Sequence, residues 1–171
     1  MEILLGAGHS RDKRVSFAGV PKAFSGELVT VDFDESTNPT IVHNLNHLPY
    51  PFDDNVADEI HCYEILEHLG TQGDFRFFFD QFSELHRILK PDAYLMGSCP
   101  NWDSHWAWSD PGHTRMISPW ALKFLDQDCY DECGEKGSAR SDYRFCYEAD
   151  FKIIGIQEEE HNFYFILQAK K

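Results

Sequence analysis

One segment limits the possible folds more than any other: the aromatic run FRFFFDQFSELHRIL, at the heart of residues 74–89. Its apolar side chains fall at Phe75, Phe78, Phe79, Phe82, Leu85 and Leu89, spacings that line them along one buried stripe of a helix. Lys90-Pro91 ends that helix, because proline has no amide donor and restricts the residue before it. Strand-like runs stand on either side, an imperfectly alternating one at 57–62 and a second at 94–98, leading into Pro100-Asn101-Trp102. Strands alternating with helices describe an α/β layered sandwich.

The rest of the chain continues the pattern. Residues 2–5 read as a short strand ending at Gly6, and Leu28-Val29-Thr30-Val31-Asp32 as a second, bounded by Gly26 and the turn cluster 34–39. Residues 40–43 suit a short third strand, and 65–69 a brief helical turn stopping near Gly70. Ser118-Pro119-Trp120 opens another helix, serine as cap and proline as first helical residue, running to about Leu125. Residues 126–141 are polar, acidic and glycine-punctuated, the pattern of a mobile loop. Residues 151–157 and 163–169 are two strands joined closely enough for an antiparallel hairpin. A chain of 171 residues with no repeat or low-complexity tract is expected to form one domain, 1–171.

Charge and cysteine usage narrow the partners. Fifteen basic residues against 29 acidic give a formal charge of −14, a surface that repels phosphate backbones and disfavours nucleic acid. The five cysteines are an odd number without an export signal, so reduced thiols and a cytoplasmic location are expected. No apolar run approaches the ~20 residues of a membrane span. Neither Cys129-x-x-x-Cys133 nor His105, Asp110 and His113 has metal-site spacing, so no metal is expected.

In open parallel sheets ligands bind beyond the carboxyl ends of the strands, which selects residues 6–10, 32–34, 43–48 and 61–64, with 98–101 close by. Gly6-Ala7-Gly8 after the first strand and an acid, Asp32, after the second suit a cofactor with a ribose: glycine lets the backbone approach, and a carboxylate accepts from the diol. Alone, Gly-x-Gly is a weak signal, and Asp32 can equally be a turn former.

The specific signal is several linked segments in order. An acid ends strand two at Asp32; Asn44-Leu45 and Leu48-Pro49-Tyr50 follow; then come Ala57-Asp58-Glu59-Ile60, Leu66-Glu67-His68-Leu69, and the run from Glu84 through Arg87, Leu89 and Lys90-Pro91 to Asp92-Ala93. This order resembles the class I S-adenosylmethionine-dependent methyltransferases (type 11-like), in a compact branch where the glycine turn leads almost directly to strand two. The resemblance covers about residues 2–125 and implies a Rossmann-like three-layer sandwich, mostly parallel and closed by a C-terminal antiparallel hairpin. It also implies S-adenosyl-L-methionine as cofactor and a small-molecule or protein methyl acceptor.

Carried over by position, the resemblance gives Gly6, Ala7 and Gly8 the methionine part of the cofactor and Asp32 the ribose. Phe33 would pack on the adenine, Asn44 would meet its amino group, and Leu45 would line its pocket. His61, Cys62 and Tyr63 would lie near the sulfonium and the transferred methyl. The chain departs from the family pattern in three places. Asp92-Ala93 stands for a Gly-Gly turn, and Asn44, whose carbonyl oxygen can still accept, for an aspartate. The third is the interval 11–27, in which Gly19, Pro21 and Gly26 break up the first helix. Without that helix, a nest of loop amides plus one of Arg11, Lys13 or Arg14 would hold the methionine carboxylate, unless the three form only a solvated basic turn.

On the acceptor side, NWDSHWAWSDPGHTRMISPW brings four tryptophans, His105 and the family-like Asp110-Pro111-Gly112-His113-Thr114-Arg115 after strand five. His113 and His105 are the general-base candidates, since imidazole titrates near neutrality, and Tyr63 joins them as a catalytic candidate. The alternative is a lid in which His113 and Arg115 bond to backbone carbonyls. Glu67-His68 reads as packing of the segment after strand four. Two other functions fit the same residues: a non-catalytic cofactor-binding or assembly subunit, and an NAD(P)-binding enzyme, the latter weakened by Arg11 where a third fingerprint glycine would fall.

Overall fold

The computed structural model describes residues 1–15, 21–131, 133–134, 138 and 140–171. Seven strands form one sheet: β1 (Glu2–Leu5), β2 (Leu28–Asp32), β3 (Ile41–Val42), β4 (Ala57–Tyr63), β5 (Leu89–Pro100), β6 (Asp150–Glu158) and β7 (Asn162–Lys170). Their spatial order is β3-β2-β1-β4-β5-β7-β6. The first five are parallel to one another, and β7 lies antiparallel between β5 and β6. The architecture is therefore α/β and Rossmann-like, mostly parallel with a closing antiparallel hairpin. Strand order reverses at β1, between β2 and β4, which opens a crevice above their carboxyl ends.

Helix α1 (Phe75–Ile88) covers one face. The side chain of Asp74 accepts from the Phe77 amide at 3.1 Å and caps the first turn. Phe79, Phe82, Leu85 and Ile88 are buried on the sheet beside Ile3, Val31, Ile60, Leu95 and Phe165. Each such side chain contributes about 1.5–3 kcal/mol of burial. Phe75, the first position of the expected stripe, instead stands at the rim against Tyr143 and Phe145.

The opposite face has a different cover. Leu4, Tyr63 and Met96 pack there with Ala7, Val15 and Phe24, residues of the chain between β1 and β2. Among the described residues of that interval, 11–15 and 21–27 form no helix; Gly19 and the rest of 16–20 lie outside the described residues. Charge fixes this segment to the sheet. The Lys13 ammonium, fully buried, pairs with Glu59 and lies 3.5 Å from Glu2. Glu2 also accepts from the amides of Ser25 and Gly26.

Three boundaries differ from expectation. β5 begins at Leu89, five residues early, because Leu89 pairs with Ala57 before a bulge; Asp92 takes the left-handed φ of 61° where a glycine is usual. β3 is only Ile41–Val42. Within 126–141, read as loop, Gln127–Tyr130 forms a 3-10 turn capped by the Asp126 side chain, and positions 132, 135–137 and 139 lie outside the described residues. Two further short helices, α2 (Trp106–Ser109) and α3 (Pro119–Leu122), follow β5, the latter capped by Ser118. Among the described residues no helix is long and apolar enough to cross a membrane.

Candidate active site

A cavity of roughly 300 Å³ opens above β1 and β2, lined by Gly6, Gly8, Asp32, Phe33, Asn44 and Leu45 together with Ile65 and His68. The backbone builds it. Gly6 and Gly8 take φ values of 60° and 50°, and the Ala7 amide donates to Val31 O at 3.2 Å. The chain thereby turns back over the end of β2. Asp32 is 7% exposed; its Oδ2 accepts from the Gly8 amide at 2.8 Å and its Oδ1 from the Asp34 amide at 3.0 Å. Each carboxylate oxygen keeps lone-pair capacity for a further donor in the cavity. Phe33, 73% exposed, stands at the lip as an uncovered aromatic face. Asn44 uses Oδ1 for an Asx turn onto the Asn46 amide at 3.0 Å, while Leu45 is buried beneath.

Three residues expected near the reacting methyl do not line this cavity, and the reason is strand alternation. His61 and Tyr63 point to the face covered by Lys13 and Val15. There His61 Nε2 meets Glu59 at 2.9 Å and Nδ1 meets the Tyr63 hydroxyl at 2.7 Å, which in turn accepts from the Val15 amide. Burial lowers the His61 pKa and pushes the Tyr63 phenol up to about 12. Cys62 points to the α1 face, donates to Met96 O and has its thiol pKa driven upward by burial. None of the three lines the cavity.

The basic turn divides similarly. Lys13 is committed to Glu59 and Glu2. Arg11 donates to the carbonyls of Gly8, Ser10, Thr37 and Asn38, stapling the glycine turn to the segment after β2. Arg14 is exposed, its guanidinium over the Tyr63 ring at 5.5 Å, with no side-chain hydrogen bond or ion pair to a described residue.

A second cavity, roughly 360 Å³, adjoins the first, and His68 lines both. Its walls include Glu64, Glu67, Trp106, Asp110, His113 and His161. Glu64 sits directly after β4 with a left-handed φ of 53°, an uncommon conformation for glutamate and a strained one. Its carboxylate accepts from Ser98 Oγ at 2.6 Å, and burial raises its pKa. The segment 110–115 closes over residues 66–68. The Thr114 and Arg115 amides donate to Glu67 O, Arg115 Nε donates to Leu66 O, and His113 Nδ1 meets Ala107 O at 3.2 Å. This is the lid arrangement with His113 and Arg115 on backbone carbonyls. His105 is exposed, against the rings of Trp106 and His161, and lines neither cavity. Glu64 closes the strand end 61–64 that the sequence selects, though it was not named for a role, and Glu67 and His68 were read as packing; the signal was an E-x-x-E-H run at the carboxyl end of a strand.

No protein-family model matches this sequence, and no curated protein matches it. Solved structures do. A SAM-dependent methyltransferase from Archaeoglobus fulgidus aligns over 98% of this chain and 85% of its own, with TM-score 0.57 and 14% identity. Haemonchus contortus phosphoethanolamine N-methyltransferase 1, solved with phosphoethanolamine and S-adenosylhomocysteine, aligns over 99% of this chain and 38% of its own, at TM-score 0.61 and 12% identity. This is the class I S-adenosylmethionine-dependent methyltransferase fold. The N-methyltransferase NodS from Bradyrhizobium japonicum, in complex with S-adenosylhomocysteine, shares it over 99% of this chain and 78% of its own, at TM-score 0.57 and 10% identity. In the terms of that methyltransferase fold, the first cavity lies at the switch point of strand order, and the second is its neighbour beyond β4 and β5.

Proposed function

We propose that the chain binds S-adenosyl-L-methionine in the first cavity and transfers its methyl group to a small-molecule or protein acceptor in the second. The observation that carries this reading is Asp32, a carboxylate at the end of β2 locked to the Gly8 amide and facing a cavity floored by two left-handed glycines. The residues fit the cofactor. Gly6 has no room for a Cβ, which would lie 2.8 Å from Cβ of Ile65, so the backbone itself forms that wall. Asp32 retains acceptor capacity for a ribose diol, and Phe33 offers a face for a planar base. S-adenosylhomocysteine in two of the similar structures supports the choice of cofactor.

Bound there, the cofactor supplies an electrophilic methyl on a sulfonium. This chain's residues then position the acceptor and exclude water, which is most of what an in-line displacement requires. Of the three basic candidates, Arg14 is the one available for the methionine carboxylate, since Arg11 and Lys13 are committed elsewhere. His113, held by Ala107 O in the second cavity, is the remaining base candidate. The nicotinamide reading loses ground, because the described chain after the glycine turn enters no helix whose N-terminus would receive a pyrophosphate.

Calorimetric titration with S-adenosylhomocysteine tests the proposal. Wild-type protein should bind in the micromolar range or tighter, Asp32→Ala should weaken binding at least 10-fold, and Arg14→Ala should weaken it about 3- to 10-fold. Binding that is absent in wild type, or unchanged in Asp32→Ala, would overturn it.

A further inference from the structure

Glu67 stands out among the described residues as a buried carboxylate without a partner. It is 2% exposed, and neither carboxylate oxygen has a well-formed hydrogen bond among the described residues, the Cys99 thiol and the residue's own amide being the donors beside it. An unpaired buried carboxylate costs several kcal/mol unless a proton or cation offsets it. Arg115 is the nearby cation, but its fork is turned away: Nε donates to Leu66 O, Nη2 donates to Gln81 Oε1, and Nη1 has no partner among the described residues.

Two imidazoles face the same space. Ligand atoms of Glu67, His68 and His113 all lie within 4.8 Å of one another. Each histidine is already oriented through Nδ1, His68 by Gly112 O at 3.1 Å and His113 by Ala107 O at 3.2 Å. A carbonyl acceptor at Nδ1 fixes the proton there and leaves Nε2 with its lone pair, the arrangement that outer carbonyls impose on metal-ligating histidines. The carbonyls belong to the stretch from α2 through the turn before His113, which the Thr114 and Arg115 amides tie to Glu67 O. The loop that brings His113 to Glu67 is thus held by Glu67's own backbone.

We propose that Glu67, His68 and His113 form a divalent first-row metal site in the second cavity. One carboxylate and two imidazoles are a donor set for zinc, iron(II), manganese or cobalt, and three protein ligands leave positions open. Ligands on a tetrahedral ion with bonds of about 2.1 Å stand about 3.4 Å apart, so closing the present spread takes small side-chain movements. Trp106 and Asp110 line the same cavity, and an open position there would take an oxygen donor of the ligand it holds. If the methyltransferase reading holds, the acceptor is therefore an oxygen-bearing one, a hydroxyl or carboxylate compound that chelates the ion. That last step rests on the proposed function, whereas metal binding does not.

The test is titration of EDTA-treated protein with Co(II), read by calorimetry and by visible absorption. Wild-type protein should bind one ion per chain. Glu67→Gln and His113→Ala should each lose 100-fold or more in affinity, and His47→Ala, outside both cavities, should bind as wild type does. Circular dichroism and S-adenosylhomocysteine titration of the same variants separate loss of the ion from loss of the fold or of the first site. On unmutated protein, Mn(II) should broaden the NMR imidazole signals of His68 and His113 before those of His9 or His47. No stoichiometric binding by wild type would overturn the proposal. So would affinity within about 3-fold of wild type in both variants, or broadening confined to the exposed histidines.

Discussion

At Gly6 and Gly8 the backbone takes the same left-handed turn, yet the two glycines answer to different constraints. An L side chain in that region costs roughly 1–2 kcal/mol at either position. At Gly8 nothing lies within 4 Å of the added Cβ, so the conformational cost is the whole cost. At Gly6 the Cβ would strike Ile65, including its own Cβ, which cannot swing aside without moving the backbone. Gly6→Ala is therefore expected to lose about 3 kcal/mol in urea unfolding and Gly8→Ala about 1 kcal/mol. Because Ile65 also lines the first cavity, S-adenosylhomocysteine affinity should drop further in Gly6→Ala than in Gly8→Ala. Equal losses at the two positions would show that Ile65 yields freely.

Among the elements, α1 depends on its cap as well as its stripe. Asp74 satisfies the Phe77 amide and begins the helix beside a residue, Phe75, that is only partly covered. Asp74→Ala should cost about 1 kcal/mol, seen as a lower urea midpoint at unchanged slope, and Asp74→Asn should restore most of it. Elements of this kind were legible because their signals are local: a 3.6-residue stripe, a cap, a β-branched run. The early start of β5 was not, since Lys90-Pro91 reads as a terminator and only the pairing of Leu89 with Ala57 shows otherwise. Gly6, Gly8, Asp32, Asn44 and Leu45, which line the first cavity, were legible as strand ends. That His61, Cys62 and Tyr63 do not line it was not legible, because the face a strand residue takes depends on register and on what covers the sheet. Here a buried lysine from the preceding loop covers it. Glu67 and His68 escaped for a related reason, as their surroundings are completed by residues 110–115, more than 40 positions later.

Across the whole molecule, buried titratable groups pull stability in opposite directions with pH. Burial lowers the pKa of His61 and of His86. The unfolded chain then binds protons near pH 6.5 that the folded chain refuses, so these groups favour folding at higher pH and lose stability as pH falls through about 6.5. Burial raises Glu67 to about 8 and raises Glu64, so in metal-free protein these carboxyls contribute the opposite slope, their stability lost as pH rises from about 4.5. The full stability curve is a compromise and isolates neither. A difference curve does isolate His61, whose facing charges are Glu59, Glu2 and Lys13, with the Tyr63 hydroxyl on its other nitrogen. Glu59 is held below the usual carboxylate range by its bonds to His61 and Lys13 against the opposing effect of burial, and so titrates below the window of interest. Urea unfolding of EDTA-treated wild type and His61→Gln between about pH 8 and pH 5 should show wild type most favoured at the alkaline end. That advantage should shrink below about pH 6.5 as the unfolded imidazole takes up its proton. A wild-type advantage that instead grows as pH falls from about 8 would mean that His61 is charged in the folded protein. The anchor at Lys13 would then be an ion cluster of Lys13, His61 and two glutamates rather than a neutral imidazole bridging Glu59 and Tyr63.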